Sequence, residues 1–99
     1  MNSFGSYIRE KREGLHAEDK SKSLRQVAIT IGVEPAFLSK VERDIVSPPS
    51  EGKIIALAEV LNEDPDLLLA MAGKVSSDLL AIVKARPQLI GELLRELKE

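Results

Sequence analysis

The amino-acid sequence predicts an all-α protein, and three observations carry that prediction. No stretch alternates apolar and polar residues as a half-buried strand does. Apolar residues instead recur at spacings of three, four and seven, as they do along one face of a helix. The segment from Leu24 to Arg43 also contains the small residues Ala28 and Gly32, followed by apolar Val33. This spacing suits two short helices that cross closely over a tight turn.

Composition limits the class of protein. The 99 residues suit one domain, and 43% hydrophobic with 30% charged residues is ordinary for a globular protein. There is no cysteine and a single histidine, His16, which argues against thiolate and histidine metal sites. No phosphate-binding glycine loop or catalytic constellation is present. We therefore expect neither an enzyme nor a protein that binds a cofactor or a metal.

The sequence also carries expectations about location. The N-terminus lacks the apolar stretch of a signal peptide. The longest apolar run, Leu67 to Ala72, has six residues, far fewer than a membrane span needs. We expect a cytoplasmic protein without a membrane segment.

The first helix is predicted from about Phe4 to Glu13. Ser3 is its N-cap, and Gly14 provides a left-handed end. Residues 15–22 then form a polar connection.

The second and third helices follow the same logic. Ser23 caps helix two, Gly32 ends it, and Pro35 suits the first turn of helix three. The inner stripe of helix two is Leu24, Val27, Ala28 and Ile31. That of helix three is Leu38 and Val41, with Ile45 a further candidate.

Two more helices are predicted after the proline-containing loop at 47–50. Ser50 is the predicted cap of helix four, and Asn62 its left-handed stop. Asp64 and Pro65 start helix five, which ends at Gly73. The inner stripe of helix four is Ile54, Leu57, Ala58 and Leu61.

The C-terminal part is predicted to form helices six and seven. Ser76 or Ser77 caps helix six, and Pro87 separates the two helices. The predicted inner face of helix six is Leu79, Ile82 and Val83. Helix seven places one apolar stripe along one side: Leu89, Ile90, Leu93, Leu94 and Leu97. Each buried side chain of this kind contributes ~1.5–3 kcal/mol, so the stripe of helix seven needs a partner. That partner is either the rest of the domain or a second copy, and we favour dimerisation.

Charge and helical phase point to DNA. The net charge is −2, yet residues 20–43 carry five basic and two acidic residues, a net of +3. If Val33, Leu38 and Val41 face inward, helix three presents Ala36, Phe37, Ser39, Lys40 and Arg43 outward. Serine and lysine can contact base edges, and alanine or phenylalanine the thymine methyl. Ser23 and Arg25 at the start of helix two suit a phosphate.

The segment from Ser23 to Arg43, with the later Pro48-Pro49-Ser50 and Asp64-Pro65, resembles the Cro/lambda-repressor-type (XRE-like) helix-turn-helix family. The similarity covers roughly residues 4–73. It implies a lambda repressor-like five-helix DNA-binding domain over residues 1–73, with the helix-turn-helix at 24–43 and two additional C-terminal helices at 74–99. The resemblance further implies that Arg12 pairs with Glu42, which would then belong to the scaffold.

Three departures from the family pattern bear on the site. Leu24 stands where the family often has a phosphate-binding glutamine, and Glu34 where helix three usually begins with Ser or Thr. The connection from Arg12 to Ser23 is also longer than usual, so its lysines either flank the DNA backbone or are plain solvated surface. Glu34 could accept from cytosine N4. The expected base-facing set is Glu34, Ala36, Phe37, Ser39 and Lys40, and the phosphate set is Lys22, Ser23, Arg25 and Arg43.

The function expected from these features is sequence-specific transcriptional regulation. The protein would be a repressor or autoregulator that binds a palindromic operator as a homodimer. The alternative is a protein-interaction module, antitoxin-like or an adaptor, whose C-terminal helices bind a partner protein.

Overall fold

The computed structural model describes residues 3–98, which form seven α-helices and no strand. The helices are α1 (Phe4–His16), α2 (Leu24–Ile31), α3 (Pro35–Glu42), α4 (Glu51–Val60), α5 (Pro65–Met71), α6 (Ser77–Ala85) and α7 (Gln88–Lys98). A short 3₁₀ turn, Lys20–Lys22, lies in the connection before α2. The all-α prediction is confirmed.

Most helix ends follow the predicted local signals. The Ser23 hydroxyl accepts a hydrogen bond from the Gln26 N–H, which caps α2, and Ser76 caps α6 in the same way through the Leu79 N–H. Gly32 adopts φ 79° and ψ 37°, the left-handed end predicted for α2. Asn62 also lies at positive φ, after α4. Ser50 occupies the N-cap position of α4, but its side chain makes no capping hydrogen bond.

The prediction that Gly14 ends the first helix was wrong. Helix α1 continues to His16. Ala17 follows it as the C-cap, and its N–H donates to the Glu13 carbonyl oxygen. Glycine costs a helix interior only about 1 kcal/mol. Because Leu15 packs half-buried against the core, extending the helix offsets that cost.

The buried core is made entirely by the first five helices and their ends. Its apolar members are Phe4, Ile8, Val27, Ala28, Ile31, Leu38, Val41, Ile54, Leu57, Ala58, Leu61, Leu68 and Leu69. Two predicted inner faces need correction. Ile45 is exposed because α3 ends at Glu42 and the chain turns at Asp44, where φ is 58°. Leu79 and Ile82 of α6 are 46% and 51% exposed, since no described helix covers them.

The N-terminus of α1 is held against the end of α3. Asp44 accepts from the Gly5 N–H at 3.0 Å and from the Ser3 hydroxyl. Gly5 is buried there, and a Cβ at this position would lie 2.3 Å from the Val41 carbonyl oxygen. Only glycine allows α1 to approach the α3 backbone this closely.

A second contact joins α1 to the connection between α4 and α5. The Tyr7 hydroxyl donates to a Glu63 carboxylate oxygen at 2.5 Å, and the Lys11 ammonium lies 3.8 Å from the same oxygen. The tyrosine hydrogen bond holds the pKa of Glu63 below its ordinary value and raises the pKa of Tyr7. Helix α1 therefore touches both the turn into α5 and the end of α3.

Two glycines of α1 should respond oppositely to alanine. Gly5→Ala would force a methyl group against backbone oxygens, so we expect a loss of about 1–3 kcal/mol in the free energy of unfolding. Gly14 faces open space inside the same helix, so Gly14→Ala should add about 0.5–1 kcal/mol. Urea denaturation measures both, and equal effects of the two substitutions would contradict the close approach at Gly5.

Candidate nucleic-acid interface

Helices α2 and α3 pack closely because the turn between them is short and the side chain at their crossing is small. Ala28 is fully buried at the crossing. The Val33 N–H donates to the Ala28 carbonyl oxygen at 2.9 Å, and the Gly32 N–H donates to that of Ile29 at 3.1 Å. These bonds close the end of α2 around the left-handed glycine. Pro35 then begins α3 with its φ already suited to a helix.

A buried ion pair fixes α3 on α1. The Arg12 guanidinium donates to both carboxylate oxygens of Glu42, from Nε at 2.6 Å and from Nη2 at 3.0 Å. Its Nη1 donates to the carbonyl oxygen of Lys22 at 3.2 Å, which ties in the 3₁₀ turn. Arg12 and Glu42, the pair implied by the family resemblance, are the two charged residues buried in the described chain. Glu42 therefore faces the domain interior, away from solvent.

The opposite side of α3 is an exposed ridge. Ala36, Lys40 and Arg43, at spacings of four and three, are all exposed, and Ser39 lies half-buried beside them. Glu34 is exposed at the N-cap position, where its side chain makes no capping hydrogen bond. Four of the five expected base-facing residues thus lie outside the core on this side of α3, together with Arg43, which was expected at phosphate. We call these residues the α3 ridge: Glu34, Ala36, Ser39, Lys40 and Arg43.

Phe37 lies at the edge of this surface. Its side chain is half-buried and packs against the core cluster. Phe37 is therefore partly exposed, and its ring belongs in part to the scaffold.

The predicted phosphate residues divide into two groups. Ser23 and Arg25 lie at the start of α2, where Arg25 is exposed. Arg43 is exposed at the end of α3, with its Nε donating to the Ser39 carbonyl oxygen at 3.3 Å. Lys22 differs, because its ammonium donates to the carbonyl oxygen of Val60 at 2.9 Å, at the end of α4. The structure thus engages the ammonium of Lys22 within the domain, and its expected contact with phosphate stays a prediction.

Sequence reasoning missed one cationic residue, Arg9. A small cavity of about 150 Å³ opens between α1 and the ends of α2 and α3. Arg9 lines it together with Arg12, Leu24, Ser39, Glu42 and Arg43. Arg9 also pairs with Glu13 at 3.4 Å on the exposed face of α1. The available signal was its spacing, since Arg9 precedes Arg12 by three residues and so shares its side of the helix.

The leucine-rich side of α7 is uncovered. Ile90, Leu93, Leu94 and Leu97 are exposed, and only Leu89 of the stripe is half-buried. The structure aligns the residues expected to mediate dimerisation on one face, and no described helix packs over them. The described residues contain no cluster of potential metal ligands and no helix long and apolar enough to cross a membrane.

Comparison with known proteins agrees with this geometry. A family model described as helix-turn-helix matches residues 8–68, which span α1 to the middle of α5. No curated protein and no solved structure matches the chain.

The ion pair between Arg12 and Glu42 predicts strong coupling. Removing one partner leaves the other charge buried without a counter-ion. Arg12→Met and Glu42→Leu should therefore each lower the free energy of unfolding by about 3–5 kcal/mol. The double variant should recover most of that loss, because neither charge then remains. Denaturant titration of all three variants measures the coupling energy, and losses that simply add would contradict it. Arg9→Met is the matched control, since its exposed pair with Glu13 should contribute at most about 0.5 kcal/mol.

Proposed function

The chain belongs to the Cro/lambda-repressor-type helix-turn-helix family, and from that premise we propose that it is a transcriptional repressor or autoregulator that recognises a palindromic operator as a homodimer. The family is one of DNA-binding regulators and not of enzymes. The observation that carries the proposal is the α3 ridge. Four of its five side chains are exposed and Ser39 is half-buried, while the opposite side of α3 is buried through Leu38, Val41 and Glu42.

The chemistry of the α3 ridge suits a major groove. Lys40 can reach guanine or a phosphate, Ser39 can contact either type of base edge, and Ala36 can contact a thymine methyl group. Glu34, free of a capping role, can accept from cytosine N4. An eight-residue helix offers only two turns, so these few side chains would carry most of the sequence discrimination.

Phosphate contacts would surround the ridge. Arg25 is exposed in the first turn of α2, and Arg43 is exposed at the end of α3. Arg9 joins this group in the proposal because it lines the same cavity as Arg43 and Ser39. Such contacts fix the orientation of the protein on the duplex and carry no sequence information themselves.

The chain would divide into two functional parts. Residues 1–73 would read DNA, and residues 74–99 would hold two copies together through α6 and α7. The exposed apolar stripe of α7 supports this division, since it contributes nothing to the core of the single copy. The same stripe favours the second candidate, an antitoxin-like or adaptor protein whose C-terminal helices bind a different protein.

Selection of bound sequences from a random DNA pool tests the proposal directly. A palindromic consensus with two half-sites about one or more helical turns apart is expected, because a two-fold dimer presents two α3 helices. A single asymmetric half-site would support DNA reading without the dimer. No enrichment at all would reject DNA reading and favour the protein-interaction module.

Salt dependence separates phosphate contacts from scaffold residues. Arg25→Ala and Arg9→Ala should each weaken binding and reduce the slope of log K against log[salt] by about one. Lys40→Ala should do the same if it reaches a phosphate, or relax the preference at one base if it reaches guanine. Lys84→Ala on α6 is the control and should leave the slope unchanged. Affinities that do not respond to any of the first three substitutions would remove the proposed DNA surface.

A further inference from the structure

Lys53 reaches from α4 to the turn between α2 and α3. Its ammonium donates to the Ile31 carbonyl oxygen at 2.9 Å and to the Gly32 carbonyl oxygen at 3.3 Å. Ile31 is the last residue of α2, and Gly32 is the left-handed residue that ends it. One side chain of α4 therefore binds both carbonyl groups at the end of α2.

Both of these carbonyl oxygens need a donor from outside α2. In a helix, the carbonyl group of one residue accepts from the N–H four positions later. For Ile31 that position is Pro35, which has no N–H. No backbone N–H of the described residues donates to either oxygen. The Lys53 ammonium supplies these hydrogen bonds instead, and its charge suits the negative end of α2.

The backbone of Lys53 belongs to a helix that is anchored in the core. Its neighbours on α4, Ile54 and Leu57, are fully buried, whereas Lys53 itself is half-buried in the first turn. A Cβ atom on Gly32 would lie 2.8 Å from the Lys53 Nζ, so the ammonium lies directly against the turn. Because a close-packed core resists displacement, these bonds connect the turn to a fixed support.

A constraint on the turn passes directly to the start of α3. Only Val33 and Glu34 separate Gly32 from this helix. Val33 packs half-buried against the core, and its N–H donates to the Ala28 carbonyl oxygen at 2.9 Å. Pro35 holds its own φ near the helical value. With the Gly32 carbonyl group also bound, few backbone angles remain free between α2 and α3.

Helix α3 is thus attached at its two ends to two different helices. The buried pair of Glu42 and Arg12 holds its last residue on α1. The bonds of Lys53 hold the turn before its first residue on α4. Glu34 and Ala36 of the α3 ridge belong to the start of α3, next to the second attachment.

We propose that Lys53 is a positioning residue for DNA reading, which fixes the start of α3 without touching DNA itself. This inference rests on the proposed function, because it concerns how accurately the α3 ridge meets the bases. Loss of the Lys53 ammonium leaves the side chains of the α3 ridge and every proposed phosphate contact in the protein. Discrimination between sequences should therefore fall, whereas attraction to the backbone of any duplex should not.

Hydrogen exchange in the free protein is the first test. Lys53→Met nearly keeps the length of the side chain and removes the ammonium. The Val33 amide proton bonds within the turn, and the Leu38 amide proton bonds within the first turn of α3. Exchange of both should accelerate about tenfold, because hydrogen bonds from a charged group are lost nearby. The Leu68 amide proton, in the first turn of α5, should not respond.

Tyr7→Phe is the matched control for this exchange experiment. It removes a different tertiary hydrogen bond, the one to Glu63 that joins α1 to the connection before α5. It should leave the Val33 and Leu38 amide protons unchanged. If Lys53→Met accelerates the Val33, Leu38 and Leu68 amide protons equally, it has lowered global stability alone, and the inference is overturned. An unchanged rate at Val33 would also overturn it.

Binding to DNA is the second test. Lys53→Met should bind the selected consensus about tenfold more weakly than the wild type, and a scrambled duplex of the same length equally well. The slope of log K against log[salt] should stay unchanged, because no phosphate contact is removed. A slope reduced by about one would show that Lys53 binds a phosphate, which contradicts the inference. An undiminished preference for the consensus would show that its bonds do not position α3.

The wild-type chain separates this inference from the proposed function. If the wild type selects no consensus, the proposed function is rejected, whatever Lys53 does to the turn. If the wild type selects a consensus and Lys53→Met prefers it equally, DNA reading stands and the positioning role is rejected.

Chemical restoration of the ammonium is the third test. The chain has no cysteine, so Lys53→Cys can be alkylated at this position alone. Aminoethylation gives a side chain nearly as long as lysine that ends in an ammonium. It should restore both the slow exchange of the Val33 amide proton and the preference for the consensus. Carbamidomethylation of the same variant gives a neutral side chain and should restore neither. Equal behaviour of the two alkylated proteins would show that the ammonium does not position α3.

Discussion

The buried ion pair between Arg12 and Glu42 determines how the reading helix is placed. Each of two buried charges needs the other as its partner, and the two parallel hydrogen bonds hold α3 with Glu42 facing α1. That setting turns Leu38 and Val41 into the core and the α3 ridge outward. An eight-residue helix is too short to be stable in isolation, so its position depends on such tertiary contacts.

Lysines strengthen the same scaffold at helix ends. The Lys53 ammonium donates to the carbonyl oxygens of Ile31 and Gly32 at the end of α2, and that of Lys22 donates to Val60 at the end of α4. Cations at helix C-termini satisfy carbonyl groups that have no partner within the helix. The basic stretch over residues 20–43 therefore contains structural charge as well as charge available to DNA. Net charge alone could not separate the two.

Local signals in the sequence predicted most of the fold, and tertiary effects account for the failures. Ser23, Gly32 and Ser76 act through bonds within a few residues, so their roles could be predicted from sequence. Gly14 failed as a helix stop because the packing of Leu15 outweighed it. The exposed ridge followed from helical phase. For Arg9 the sequence offered only its spacing of three residues from Arg12, because the cavity that it lines forms only when α1, α2 and α3 come together.

In a dimer, the separation between the two α3 helices depends on how rigidly the helices of each copy are held to one another between the dimer interface and the α3 ridge. Within one copy, Arg12 and Glu42 fix α3 to α1, and the shared core fixes α1 to α4 and α5. The bonds from Ser77 to Glu51 then fix α6 to α4. In the proposed homodimer, this chain of attachments would set the distance between half-sites, whereas the α3 ridge would set which bases are read.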